Sequence, residues 1–157
     1  MQALKSLTEQ FKSYITGPAH LSVSVPKGQL LCTPSAAIDG FEIEYTANIK
    51  IQNTHVEPQQ LLMSLVSWLN IYDCERESKG LAAPSFDVSA QEEQGCDITI
   101  NLTLREAFCL ELNPQGQWQQ NGLSYSLKSQ FQAAVTQEEL DHLIYVVGHT
   151  RDLPCIQ

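Results

Sequence analysis

Apolar residues occupy every odd position from Phe41 to Ile51, while Glu42, Glu44, Thr46, Asn48, Lys50 and Gln52 occupy the even ones. Alternation of that length predicts a long strand with one face buried and the other wet. Asn53 to Glu57 reads as a short polar connection. Pro58 suits the first position of a helix, where its missing N–H costs nothing. Leu61, Leu62, Leu65, Trp68, Leu69 and Tyr72 then recur at helical spacing, predicting a helix over 58–72 that covers the apolar face of the strand. Upstream, Leu4, Leu7, Phe11 and Tyr14 share one face of a helix over 2–15, which Gly17-Pro18 ends. Leu21 to Val25 alternates, Pro26-Lys27-Gly28 reads as a turn, and Gln29 to Thr33 resumes. These three pieces predict a short β-hairpin.

Beyond the second helix, Asp73 to Pro84 is a polar loop holding Glu75, Arg76, Glu77 and Lys79, and Phe86-Asp87-Val88 is a brief strand. After a turn over Gln91 to Gly95, Ile98, Ile100, Leu102 and Leu104 alternate with polar residues in a second amphipathic strand. The phase resumes at Phe108, Leu110 and Leu112, but Glu106 falls where an apolar residue is due. A buried, unpaired carboxylate is costly, so a bulge or bend is expected at Arg105-Glu106-Ala107. Asn113-Pro114-Gln115-Gly116 and Asn121-Gly122 are turn signals, and with Trp118, Leu123, Tyr125 and Leu127 they predict a last hairpin. Thr136-Gln137-Glu138-Glu139 has the capping-box spacing, and Leu140, Leu143, Ile144 and Val147 follow at helical spacing up to Gly148. The β-formers from Leu143 to Val147 allow a strand there as well; a helix is favoured. The expected organisation is one α+β domain over 1–148, with 149–157 a mobile tail. Its sheet is mostly antiparallel and packed on one face by two or three helices.

Composition narrows the function. Nine Lys and Arg stand against eighteen Asp and Glu, giving a formal charge of −9. No cluster of even three basic residues occurs, so direct contact with nucleic acid or an anionic membrane is not expected. Cys32, Cys74, Cys96, Cys109 and Cys155 are odd in number and widely spaced, as reduced thiols are, and fit neither a disulfide framework nor a zinc site. No apolar run approaches the ~20 residues that span a bilayer, and no signal-peptide core follows Met1.

A search for chemistry finds no catalytic, cofactor-binding or metal site. There is no nucleophile elbow and no glycine-rich phosphate loop. His142 and His149 lie seven apart with Asp141 and Asp152 nearby, which a solvated helix face explains as well as a metal does. The carboxylate pairs Glu42/Glu44, Glu75/Glu77 and Glu92/Glu93 read as solvated faces or loops, and Trp68 reads as core. The wet face of the long strand remains, with Glu42, Glu44, Asn48 and Lys50 as candidate interface residues.

The strand Phe41-Glu42-Ile43-Glu44-Tyr45-Thr46-Ala47-Asn48-Ile49 is similar to the aromatic-Glu-x-x-Tyr strand of the phage tail completion protein R (GpR) family. Leu61 to Leu69 resembles that family's Trp-Leu helix, Phe86-Asp87-Val88 its Phe-x-Val strand, and Asp97 to Glu106 its acidic alternating strand. Arg105-Glu106 stands where the family more often has Glu-Arg. The resemblance covers roughly residues 20–112 and finds no counterpart for Leu123 to Gln157. It implies a tail-terminator-like fold and a structural, non-enzymatic role with no cofactor. The implied partners are other copies of the chain in a ring, typically a hexamer, the tail tube and sheath, and the head–tail connector. It also implies a life in the bacterial host cytoplasm during assembly and in the virion or a tail-like particle afterwards. A second reading fits the same residues: a small protein-binding adaptor or assembly chaperone using the 41–51 strand.

Overall fold

The long alternating segment sits in the middle of the sheet, where its odd positions become core. The computed structural model describes residues 1–15, 17–32, 40–91 and 95–131. The elements in chain order are α1 (Gln2–Tyr14), β1 (His20–Leu31), β2 (Gly40–Thr54), α2 (Pro58–Tyr72), β3 (Ser85–Gln91), β4 (Gly95–Leu112), β5 (Trp118–Gln120) and β6 (Leu123–Ser129). Among the described residues the sheet runs β1-β2-β4-β6-β5, and β3 also pairs with β4. Every pairing is antiparallel. This is the α+β architecture expected, with two helices on one face. The expected helix over 136–147, the tail over 149–157 and the domain limit at 148 lie outside the described residues.

Both faces follow from parity. Tyr45, Ala47, Ile49 and Ile51 of β2 meet Ile98, Ile100, Leu102 and Leu104 of β4 in the core. Over them lie Leu4, Leu7 and Phe11 of α1 and Leu61, Leu65 and Trp68 of α2. Tyr14, the fourth member of the predicted α1 stripe, falls outside that core and is exposed. Two polar clamps hold the helices together. Gln10 Nε2 donates to Ser64 O at 2.9 Å and to Ser64 Oγ at 2.7 Å, and Trp68 Nε1 donates to Ser6 Oγ at 3.2 Å. Trp68 is core, as its place in the apolar stripe predicts.

Two expectations change. The expected hairpin does not form, because His20 to Leu31 is one edge strand paired along β2, while Thr33, the expected end of the second piece, lies outside the described residues. The register steps from Ser24↔Asn48 to Lys27↔Thr46, so Val25 and Pro26 together oppose Ala47 in a bulge. Proline lacks the N–H that a ladder needs, and an edge-strand bulge is where it fits without breaking pairing. Conversely, Arg105 to Ala107 contains no bulge. Pairing runs unbroken through Glu44↔Arg105, Ile43↔Glu106 and Glu42↔Ala107. Glu106 stays in phase, 3% exposed, because it has partners. Tyr45 Oη donates to its Oε1, and the Gln2 backbone N–H donates to its Oε2 at 2.7 Å. A carboxylate there also complements the positive N-terminal end of α1, which has no acidic residue in its own first turn and no side-chain cap. The bulge on β2 lies further on, between Ile51 and Thr54, where Asn53 takes φ +53° and its N–H donates to Asp97 Oδ1 at 2.9 Å.

The other turn signals hold. Gly116 N–H donates to Asn113 O at 2.8 Å, and Gln115 N–H to Asn113 Oδ1 at 3.0 Å. Asn121 (φ +51°) and Gly122 (φ +77°) both take the left-handed backbone of a type I′ hairpin turn between β5 and β6.

β4 is longer than any one neighbour on its second edge. β3 covers it as far as Ser85↔Asn101, and β6 takes over at Phe108↔Ser129. Arg76 reaches into the gap. Its Nη1 donates to Thr103 O and to Asp73 Oδ2, both at 2.8 Å, and its Nη2 donates to Ala82 O. Gln130 N–H caps Ala107 O at 2.8 Å at the far end of the gap.

Candidate functional site

On the face turned away from the helices, the even positions of β2 stand beside the odd positions of β4. Facing pairs there are chemically matched. Arg105 donates to Glu44 Oε2 from Nη2 at 2.5 Å and from Nε at 3.1 Å. Thr46 and Thr103 hydroxyls lie 3.2 Å apart, and Asn48 Nδ2 donates to Asn101 Oδ1 at 2.7 Å. Gln29 of β1 adds a third donor to Glu44, through Oε1 at 3.0 Å. Each such rung contributes roughly 0.2–1 kcal/mol, so the face stabilises the sheet as well as facing outward.

All four residues singled out from the sequence lie on this face, but they divide in two. Glu44 and Asn48 are half-buried and engaged across the strands. Glu42, opposite Ala107, and Lys50, opposite Thr99, are exposed. Glu42 thus lies near one end of β2 and Lys50 eight residues on, with a self-satisfied ladder between them. A shallow depression of about 190 Å³ lies where β1 bulges, lined by Lys27, Gly28, Gln29, Glu44, Tyr45, Thr46 and Thr103.

Sequence reasoning missed Arg105 as the partner of Glu44 and Lys27 and Gln29 as neighbours on the same face. The signal lay in register: once β2 and β4 pair Tyr45 with Leu104, Glu44 must face Arg105.

The remaining chemistry-bearing residues are dispersed. Cys32, Cys74, Cys96 and Cys109 are free thiols. Burial, followed by the charges of Asp97 and Glu57, pushes the Cys96 thiol up from its ordinary value. Among the described residues no three His, Cys, Asp or Glu side chains gather as a metal site would, and no helix is long and apolar enough to cross a membrane. His142 and His149 lie outside the described residues.

Comparison with known proteins adds one finding. A family model described as P2 phage tail completion protein R (GpR) matches residues 1–129. The match takes in α1 and the β5–β6 hairpin as well as the segment over 20–112, and so supplies a counterpart for 123–129. No curated protein and no solved structure matches the chain.

Proposed function

The chain belongs to the P2 phage tail completion protein R (GpR) family, and from that premise we propose that it is the structural subunit that terminates a contractile tail. The family assignment across 1–129 carries this reading, which is that of a structural tail protein working with other tail components. In the finer form, copies of the chain close into a ring, typically of six, on the last turn of the tail tube. The ring stops further growth and offers a surface to the head connector, with the sheath as a further neighbour. The chain is made in the bacterial host cytoplasm and ends in the virion or tail-like particle. A closed ring requires a head-to-tail interface between two different patches of each subunit.

The wet face of β2 and β4 is one of those patches. Interfaces of this kind are about as polar as ordinary protein surface, so a polar face is no obstacle. Glu42 and Lys50 are its exposed charges and the ones to reverse. Glu44 is a poorer probe, because reversing it also breaks the Arg105 pair inside the subunit. Glu42→Lys and Lys50→Glu are each expected to weaken capture at the tail end about tenfold, the equivalent of about 1.4 kcal/mol. Electron microscopy of lysates carrying only the variant chain would show it as over-long or headless tails. Normal tail length and head attachment in both variants would remove this face from the interface and leave the family role intact.

A formal charge of −9 also keeps free subunits apart. Association with the tail end is accordingly expected to change with ionic strength between about 0.05 and 0.5 M, as screening shortens the reach of that charge. Sedimentation of the purified chain with tails lacking it would measure this, and an unchanged bound fraction would remove the role of charge.

A further inference from the structure

Among the described residues β1, β3 and β5 each keep one edge without a strand partner. β5 is only three residues long, which leaves β1 and β3. Both turn backbone hydrogen-bonding groups outward. Thr103 O and Ala107 O are taken on the second edge of β4, by Arg76 and Gln130. Backbone direction alternates along a strand, so Asn101 points to that edge too and bonds Ser85, and Phe86 and Val88 direct their N–H and C=O away from β4. The same alternation, carried across β4 and β2, turns Leu21 and Val23 outward from β1. An open edge is a template for another strand.

The two edges are complementary. β1 carries His20 and Lys27 and no acid, whereas β3 carries Asp87 and no base. Phe86 and Val88 are 52% and 42% exposed, and both stand on the helix side, opposite Ile100 and Ile98. Because every pairing is antiparallel, β1 and β3 run in opposite directions within one chain. Two copies set side by side in the same orientation therefore bring β3 of one antiparallel to β1 of the next. We propose that copies of the chain join through this strand pairing, with Phe86 facing the partner's Val23 and Val88 the partner's Leu21. The proposal rests on the ring reading and names the contact that closes it. Ser24, Asn48, Asn101 and Ser85 form one row across the sheet, and in this register the row continues at its own level into the next copy. Successive copies do not climb, as closure into a ring instead of a filament requires. The wet face joins at its margin, where the row of Lys50, Thr99 and Asp87 meets the partner's Ser22 and Lys50. Pairing β3 with β3 of a partner would instead crowd two copies of Asp87, a like-charge contact.

Ser85 faces the partner's Ser24 in the same register. Within one chain these serines are separated by β2 and β4, about 14 Å, beyond the reach of a disulfide. A bridge between them must therefore join two copies. Tails lacking the chain, capped with Ser24→Cys/Ser85→Cys and oxidised with copper phenanthroline, are expected to yield a 24–85 linked peptide by mass spectrometry, absent from either single variant. Val88→Pro removes one outward N–H and leaves the β4 ladder intact. In that background the linked peptide should fall about tenfold. Tails of normal length without the linked peptide would overturn the strand pairing and leave the tail role standing. An undiminished yield with Val88→Pro would overturn it as well. Tail ends that never take up the unaltered chain would overturn the ring reading, and the pairing with it.

Discussion

Glu106→Ala is expected to destabilise the domain by about 3 kcal/mol, read as a lower urea midpoint at unchanged slope. The loss has three parts: a small cavity, a buried Tyr45 hydroxyl without its acceptor, and a Gln2 N–H at the start of α1 without its cap. Glu106→Gln keeps the volume and an acceptor for Tyr45 but removes the charge facing the helix N-terminus. It should cost less, about 1 kcal/mol. Tyr45→Phe combined with Glu106→Gln should show strong coupling, because the two side chains serve one hydrogen bond. A milder loss for Glu106→Ala than for Glu106→Gln would mean that the carboxylate is a burden to the fold.

The same contact predicts an alkaline weakness. Burial first, and then the hydrogen bond and negative charge of Glu106, push the Tyr45 phenol well above its ordinary value. The folded chain thus holds that proton more tightly than the unfolded chain. The resulting stability is complete below the unfolded phenol's value of about 10 and declines as pH rises past it. Alkaline unfolding followed by circular dichroism should therefore shift in Tyr45→Phe relative to the unaltered chain, with the steepest part of the decline removed.

Arg76→Ala is the second large effect, expected at about 3–5 kcal/mol, the range for removing one partner of a buried ion pair. Asp73 is only 8% exposed and would keep a charge without its principal partner, since Lys79 Nζ stands 3.9 Å away. The Thr103 and Ala82 carbonyls would lose their donor as well. In a domain of this size the loss corresponds to a fall in Tm of roughly 10 °C. Arg76→Lys keeps a charge but cannot serve three acceptors in one plane, and should recover part of the loss. Amide exchange along β4 between Thr103 and Ala107 should quicken more than exchange at Ile98 to Leu102. Uniform quickening would mean that Arg76 acts on the whole fold and has no special hold on the gap.

What was legible in the sequence follows from range. β2, α2 and the Asn121-Gly122 turn depend on neighbours within a few residues, and periodicity or turn chemistry reveals them directly. Glu106 was misread because its partners are 61 and 104 residues away, and without them a carboxylate in an apolar phase argues for a bulge. Pro26-Lys27-Gly28 has a composition that serves a tight turn and an edge-strand bulge equally, and only the pairing of both flanks with β2 separates the two. Arg76 looked like one of four charges in a polar loop, since the gap it fills exists only after β3 and β6 have taken their places. Parity put Glu42, Glu44, Asn48 and Lys50 on one face without a structure, whereas the Glu44–Arg105 pair needed the register.

Pro26 has a consequence for the chain in bulk. Among the described residues no strand pairs with the outer edge of β1, and an open edge is a template on which identical strands stack into fibrils. A proline in its middle interrupts the row of N–H donors, the bulge skews the strand, and Lys27 sets a charge beside it. An incoming strand finds only two short stretches to pair with. Concentrated chain is thereby kept from seeding amyloid-like aggregates through this edge, and Pro26→Val should turn a clear solution into one that clouds on standing, read as a rise in light scattering.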